Sequence, residues 1–538
     1  MAKSPFESNT LYYGDNLEVL RKHFPNECVD LVYLDPPFNS KADYNILFKE
    51  STGEDSAAQI QAFSDSWHWD KAAEQTYLEI QADPKLLDMI QFLHAYLGKN
   101  DMMAYLVMMT IRLRELHRVL KSTGSLFLHC DYHASAFLRI LLSKIFGENN
   151  FRNEIIWKRK TGRGETQHKS NQFGVCTDVI LFYAKTKESK FNTQFVPLSE
   201  ADDSYKAYVE KFFRFTDENG RKYQIDNLAS PSPRPNLMYE YKGYKPPACG
   251  WAISKEKMEQ WDKEGRLWFP TNKKGRIRRK RFKDELKGKP VQNLWDDIQM
   301  ISSQSAERLG YPTQKPIALL KRIINATTDE GDVVLDPFCG CGTTIMASQE
   351  LKRTWIGIDV THLAISLIRS RLKDIHVLAN KDYKIIGEPA DVASAVELMK
   401  VDRTGYQFQW WALSLIDAKP AGQSETSPQG KKGADKGVDG WLTFKESDNL
   451  DLQRIVIQVK GGHVGAQDVR DLIGTVQSKK VAMGILITLH EPTEPMKQAA
   501  FEAEYYESPT WGHKYPKIQI LTIPELLKGS KPILPHTH

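Results

Sequence analysis

The segment 333–344, VVLDPFCGCGTT, is a short apolar run that leads into a glycine-containing turn and then a helix. Such strand–turn–helix units build open α/β sheets, in which ligands sit beyond the carboxyl ends of the strands. Asp359 closes the next strand, RTWIGID at 353–359, where folds of this kind place an acid that holds ribose hydroxyls. A pyrophosphate would favour an uncharged turn, because the helix N-terminus already supplies positive potential. Here Asp336 opens the turn, which suits a ligand carrying positive charge, such as the amino group or sulfonium of S-adenosylmethionine. A plain strand end with a helix-capping turn would give the same string. Cys339 and Cys341 within it read as small residues in a tight loop, not as metal ligands.

A second run, CVDLVYL at 28–34, reads as a buried parallel strand and ends in DPPFNS at 35–40. This loop has the parts needed to methylate a base amine. The lone pair of such an amine is delocalised into the ring, so the nitrogen is a weak nucleophile. Two acceptors that take both amine hydrogens would pull it toward tetrahedral geometry and free the lone pair. Asp35 offers a carboxylate and Pro36 a backbone carbonyl, while Pro36 and Pro37 stiffen the loop. Phe38 offers an aromatic face to a base that has left the duplex stack. Taken alone, Asp-Pro-Pro also makes an ordinary turn.

Three textures follow one another along the 538 residues. Residues 1–186 and 301–385 alternate helix and strand patterns, which predicts an open, helix-covered parallel sheet interrupted by an insertion at 187–300. The helical run 105–120 is rich in Met and reads as core. Within the insertion, 271–290 holds ten Lys or Arg against two acidic residues and lies among aromatics. That run is either a solvated loop or a nucleic-acid surface, and the interleaved aromatics favour the second. Six scattered cysteines fit a reduced compartment, and no apolar stretch approaches a bilayer span, so a soluble, cytoplasmic protein is expected. His129 and His133, beside Cys130 and Asp131, read as a strand end and a polar helix start, with no metal assigned.

Together the two loops resemble those of the amino-directed DNA methyltransferases, which carry an (Asp/Asn/Ser)-Pro-Pro-(Tyr/Phe) loop and an Asp-Pro-Phe-x-Gly-x-Gly-Thr-Thr loop. The order here, with the catalytic loop first and a basic insertion between, is similar to the permuted β group. The resemblance implies a Rossmann-like, S-adenosylmethionine-dependent methyltransferase fold whose insertion recognises the target. It implies catalytic roles for Asp35, Pro36 and Phe38. It also implies cofactor contacts from Asp15, Asn16, Thr313, Lys315, Asp336, Phe338, Gly340, Gly342 and Asp359. Asp at position 35 tilts the target toward adenine over cytosine. Double-stranded DNA is the implied partner, and a homodimer is consistent with the group.

Residues 386–538 form a smaller α/β unit. Strands at 438–444 and 454–460 bring Asp439 toward Gln458 and Lys460, a set that suits Mg²⁺-assisted phosphodiester cleavage with Asp439 as metal ligand. The set resembles the PD-(D/E)xK nucleases in their Mrr-like branch. Gln409 stands where that family often has a Glu, on a helix at 406–416. The expectation is therefore a methyltransferase fused to a nuclease. The alternatives are a methyltransferase with a non-cleaving tail that binds DNA or a partner, and a DNA-binding regulator with a decayed site.

Overall fold

The computed structural model describes residues 8–37, 69–160, 173–302, 304–305, 307–309, 311, 314–401, 405–421, 437–445, 452–510 and 512–535. The chain divides into two compact units, one of residues 193–292 and one of the rest.

The larger unit is built on a nine-stranded sheet in the order Leu294–Trp295, Phe151–Lys158, Thr177–Ala184, Leu120–Cys130, Val29–Leu34, Val333–Asp336, Thr354–Asp359, Asn9–Tyr13, Tyr383–Ile386. Val29–Leu34 is buried along its whole length, as a central strand covered on both faces must be, so its sequence shows no polar alternation. Helix Asp101–Val119 is capped by Asn100, whose side chain accepts from Met103 N–H, and it buries Met103, Met108 and Met109 in the core.

The sheet is mixed, not wholly parallel as the sequence predicts. Thr177–Ala184 runs antiparallel to both neighbours. A strand that returns directly beside the one before it needs no crossover helix, and TDVILFYA is apolar enough to serve in either direction.

One feature of this order decides where a ligand can sit. Val29–Leu34 and Val333–Asp336 are parallel neighbours, with Leu31 opposite Val334 and Val32 opposite Leu335. From the first, the chain continues to Leu120–Cys130 on one side; from the second, it continues to Thr354–Asp359 on the other. The strand order reverses between them, and the carboxyl ends of two such strands bound a crevice.

Residues beyond 405 add a five-stranded sheet in the order Lys419–Pro420, Gly440–Phe444, Gln453–Lys460, Met483–Thr488, Ile518–Thr522. Helix Tyr406–Ser414 supplies Phe408 and Trp411 to the core of this sheet, against Ile455, Ile457 and Ile485. Helix Ala466–Lys479 buries Val469, Leu472 and Val476 in a second cluster with Val456 and Leu486.

The smaller unit carries a four-stranded sheet in the order Phe215–Thr216, Lys222–Asp226, Arg278–Phe282, Leu267–Trp268. Its core is aromatic, with Tyr241, Tyr244 and Trp251 packed on Met258 and Leu267. Among the described residues no helix is long and apolar enough to cross a membrane.

Candidate active site

Asp35 and Asp336 follow or end the two strands at the switch point, so both carboxylates lie at the mouth of the same crevice. The turn after Asp336 is held by its own backbone. Asp336 accepts from Phe338 N–H at 3.1 Å, Gly342 N–H reaches the Cys339 carbonyl at 2.7 Å, and Gly340 N–H reaches the Asp359 carboxylate at 2.9 Å. Gly342 has φ +78°, and a Cβ there would come within 2.5 Å of Ile368, so glycine lets the turn close against helix His362–Asp374. Asp359 is fixed further by Thr361, whose N–H and hydroxyl donate at 2.9 and 2.8 Å.

Three carboxylates therefore converge in little space, and their ionisation shows it. Burial pushes the Asp336 carboxyl up to about 7, against hydrogen bonds from Thr344 and Phe338 N–H, and the charges of Asp35 and Asp359 push the same way. Burial raises Asp359 as well, against the donors at Thr361 and Gly340. Cys339 and Cys341 are buried free thiols whose pKa values are raised, first by burial.

Lys315 is expected from the resemblance to touch the cofactor. Its ammonium forms an ion pair with the Asp35 carboxylate, both side chains being largely buried. Asn16 donates to the Pro337 carbonyl at 2.8 Å and so ties the N-terminal segment to the cofactor turn. Asp15 caps helix Asn16–His23, accepting from Leu17 and Glu18 N–H. Phe38 and Thr313 lie outside the described residues.

Sequence reasoning missed Arg112. Its guanidinium bonds the Asn16 side chain at 2.6 Å and the Asp15 carboxylate at 2.5 Å, holding both residues beside the turn. The available signal was an arginine directly after the largely apolar stretch 102–111 of its helix. It also missed the chain that starts at His129, which accepts or donates at Tyr33 Oη and at the Asp178 carboxylate, both at 3.2 Å.

The C-terminal residues do come together at one corner. Asp439 accepts from Val459 N–H at 2.7 Å, which sets it beside Gln458, and the Gln409 amide donates to the Asp439 carbonyl at 3.3 Å. Lys460 faces Asp468 at 3.6 Å. Gln409 brings a neutral amide where the nucleases of this resemblance often supply a Glu carboxylate. Among the described residues no group of three or more His, Cys, Asp or Glu side chains is placed to hold a metal ion.

Burial pushes the Asp439 carboxyl up to about 6, against the Val459 N–H and the Lys460 charge. A carboxyl raised on folding leaves stability intact below its unfolded pKa and costs stability as pH rises through the folded one. Asp439→Asn should therefore stabilise the protein by about 1–3 kcal/mol at pH 8, with the gain shrinking toward pH 4.5. Urea melts at the two pH values check this; a variant less stable than wild type at pH 8 contradicts it.

In the insertion, part of the basic run is occupied locally. Lys283 pairs with Glu210 and Lys289 with Asp202, while Arg221 and Arg266, outside the run, pair with its Glu285 at 3.0 and 2.7 Å. Arg279 lies over Trp261 at 4.7 Å and Lys273 over Tyr244 at 4.1 Å. Lys274, Arg276, Arg278 and Lys287 are exposed.

A family model described as DNA methylase, of the N6/N4 methyltransferase type, matches residues 29–369, a span that includes both loops and the insertion. The chain belongs to the N6/N4 DNA methylase family. Among curated relatives it is 31% identical over 280 residues to the Type II methyltransferase M.EcaI of Enterobacter cloacae, covering 52% of this chain and 59% of that one. It is 29% identical over 367 residues to the Mod subunit of the Type III restriction-modification enzyme StyLTI of Salmonella typhimurium, covering 65% of this chain and 51% of that one. The chain thus spans between half and three-fifths of the length of these relatives. Among solved structures, the PvuII DNA methyltransferase (cytosine-N4-specific) is similar at 13% identity and a TM-score of 0.34, covering 67% of this chain and 85% of that one. A second model, described as NACHT-associated inactive Restriction Endonuclease 1, matches residues 426–528 of this N6/N4 family member.

Proposed function

We propose that this chain transfers a methyl group from S-adenosylmethionine to the exocyclic amine of a base in double-stranded DNA, adenine ahead of cytosine, as the modifying part of a restriction–modification system. The observation that carries the reading is the placement of Asp35 and Asp336 at the carboxyl ends of two hydrogen-bonded strands, at the point where the strand order reverses. In this reading 1–186 and 301–385 are the catalytic and cofactor halves, 187–300 reads the DNA site, and 386–538 is a nuclease-like tail. The loop order is that of the permuted β group.

The residues present fit the cofactor. Three buried or half-buried carboxylates, Asp35, Asp336 and Asp359, lie close together with Lys315 paired to the first, and carboxylates outnumbering the lysine favour a cationic ligand. Asp336 would face the positive groups and Asp359 the ribose hydroxyls. Asn16, itself held by Arg112, would close the adenine side. When bound, S-adenosylmethionine supplies an electrophilic methyl group and a thioether leaving group.

The chain's own residues do the rest. Asp35 and the Pro36 carbonyl accept the two amine hydrogens of the base and free its lone pair. Phe38 stacks on the extruded ring. As the base enters, the Lys315 ammonium gives up part of its hold on Asp35, and the carboxylate then takes the proton that the methylated amine sheds. The exposed basic side chains of the insertion hold the phosphate backbone.

The experiment is transfer of labelled methyl from S-adenosylmethionine to DNA of mixed sequence, followed by nucleoside analysis. Label on the adenine amine is expected; no incorporation into any DNA overturns the proposal.

For the tail, the amide at Gln409 favours a non-cleaving unit that binds DNA or a partner, and the likeness to an inactive restriction endonuclease supports the same reading. Incubated with Mg²⁺, both unmethylated and methylated plasmid should stay intact. Cutting that disappears in Asp439→Ala or Lys460→Ala would restore the nuclease reading.

A further inference from the structure

Beneath the crevice runs a buried polar chain that the proposed chemistry does not use. Tyr33 Oη meets His129 Nδ1 at 3.2 Å, and His129 Nε2 meets the Asp178 carboxylate at 3.2 Å. The other Asp178 oxygen pairs with Arg159 Nε at 3.1 Å. Tyr33, His129 and Asp178 are buried, and Trp157 closes the edge of the imidazole at 5.7 Å.

The strand register says what this chain supports. Leu34 pairs with Leu128, so His129 stands one step beyond the last paired residue, as Asp35 does after the adjoining strand. The Asp35 charge is felt at the buried Tyr33 hydroxyl two residues before it. Asp178 comes from the antiparallel strand, beside Cys130 and opposite Trp157, so the chain crosses three strands at the rim of the crevice. Electrostatics join it to the site. Burial raises the Asp178 carboxyl, but the bond and charge of His129 and the charges of Arg159 and Lys315 outweigh it and hold that carboxyl low.

Such a chain is costly at this depth. Apolar groups of like volume would commonly be as stable or more so, because each buried polar group forfeits its hydration. Geometry at the rim is what it offers in return. We infer that Tyr33 and His129 are positioning residues: the chain Tyr33–His129–Asp178–Arg159 fixes the backbone from which Asp35 and Pro36 present their two acceptors. The inference rests on the methyltransferase reading for its kinetics, though not for its structural test.

Tyr33→Phe removes one hydroxyl and keeps the ring, so the fold should survive. The expected result is a fall of about tenfold in kcat, with KM for DNA and for S-adenosylmethionine within about twofold of wild type, since misplaced acceptors affect the transition state more than binding. His129→Gln, which keeps a donor and an acceptor, should recover part of what His129→Ala loses. Hydrogen exchange in the peptide spanning 33–38 should quicken in Tyr33→Phe, with the peptide spanning 333–336 unchanged.

A kcat within twofold of wild type in both Tyr33→Phe and His129→Ala overturns the inference. So does a fall in kcat matched by a fall in cofactor sites per chain, which would mean the chain only holds the fold. If wild-type protein transfers no methyl, the proposed function fails, and exchange in the 33–38 peptide still decides this inference: unchanged rates overturn it.

Discussion

Asp35→Asn should lower kcat for methyl transfer by about 10²–10³-fold while S-adenosylmethionine binding stays within a few-fold of wild type. The asparagine keeps the size of the side chain and one oxygen. It removes the charge that draws the amine hydrogens away from the ring, and that charge matters most when the nitrogen is bonding to the methyl group. Interactions stronger in the transition state than in the ground state show up in kcat, so KM for DNA should move less. Lys315 complicates the substitution, because its ammonium pairs with Asp35 and both are largely buried. Losing one partner of a buried pair can cost about 3–5 kcal/mol of stability. Lys315→Met combined with Asp35→Asn removes both charges, and a double variant that is folded yet inactive separates chemistry from folding. The measurement is single-turnover transfer at saturating cofactor. A folded Asp35→Asn protein within threefold of wild type would remove Asp35 from the mechanism.

What the sequence made legible follows from how local each signal is. Val29–Leu34 and Val333–Asp336 are short apolar strands closed by Asp-Pro turns, and nothing distant is needed to read them. The tail was legible in the same way: the expected strand ending at Lys460 and helix at 406–416 correspond to Gln453–Lys460 and Tyr406–Ser414, and Gln409 does lie against Asp439. Arg112, His129 and Asp178 were not legible as site residues. Each gains its meaning from a partner 49 to 97 positions away, and which partner it meets depends on strand order, which no spacing along the chain encodes. The direction of Thr177–Ala184 was hidden for a related reason. A strand buried in a central sheet looks the same from either end, so the residues say that it is there and not which way it runs.

The ionisation of Asp336 makes the affinity for S-adenosylmethionine depend on pH in a definite direction. With its carboxyl pushed up to about 7 by burial and by Asp35 and Asp359, the group is largely protonated at pH 6 and largely ionised at pH 8. A cationic ligand favours the ionised form, so binding lowers this pKa and releases a proton wherever the free site is still protonated. Affinity should rise by up to about fivefold from pH 6 to 7, by about twofold more to pH 8, and then flatten. Asp336→Asn should bind about 10–100-fold more weakly at pH 8, the worth of one charged hydrogen bond, and should lose this part of the slope. The cofactor's own titration is common to both proteins and cancels in the comparison. Calorimetry in two buffers of different ionisation enthalpy reads the proton release directly, expected near pH 6.5 for wild type and absent for the variant. Equal slopes in the two proteins would mean that Asp336 does not meet the charge of the ligand, and the assignment of the 333–344 turn to its positive end would fall with it.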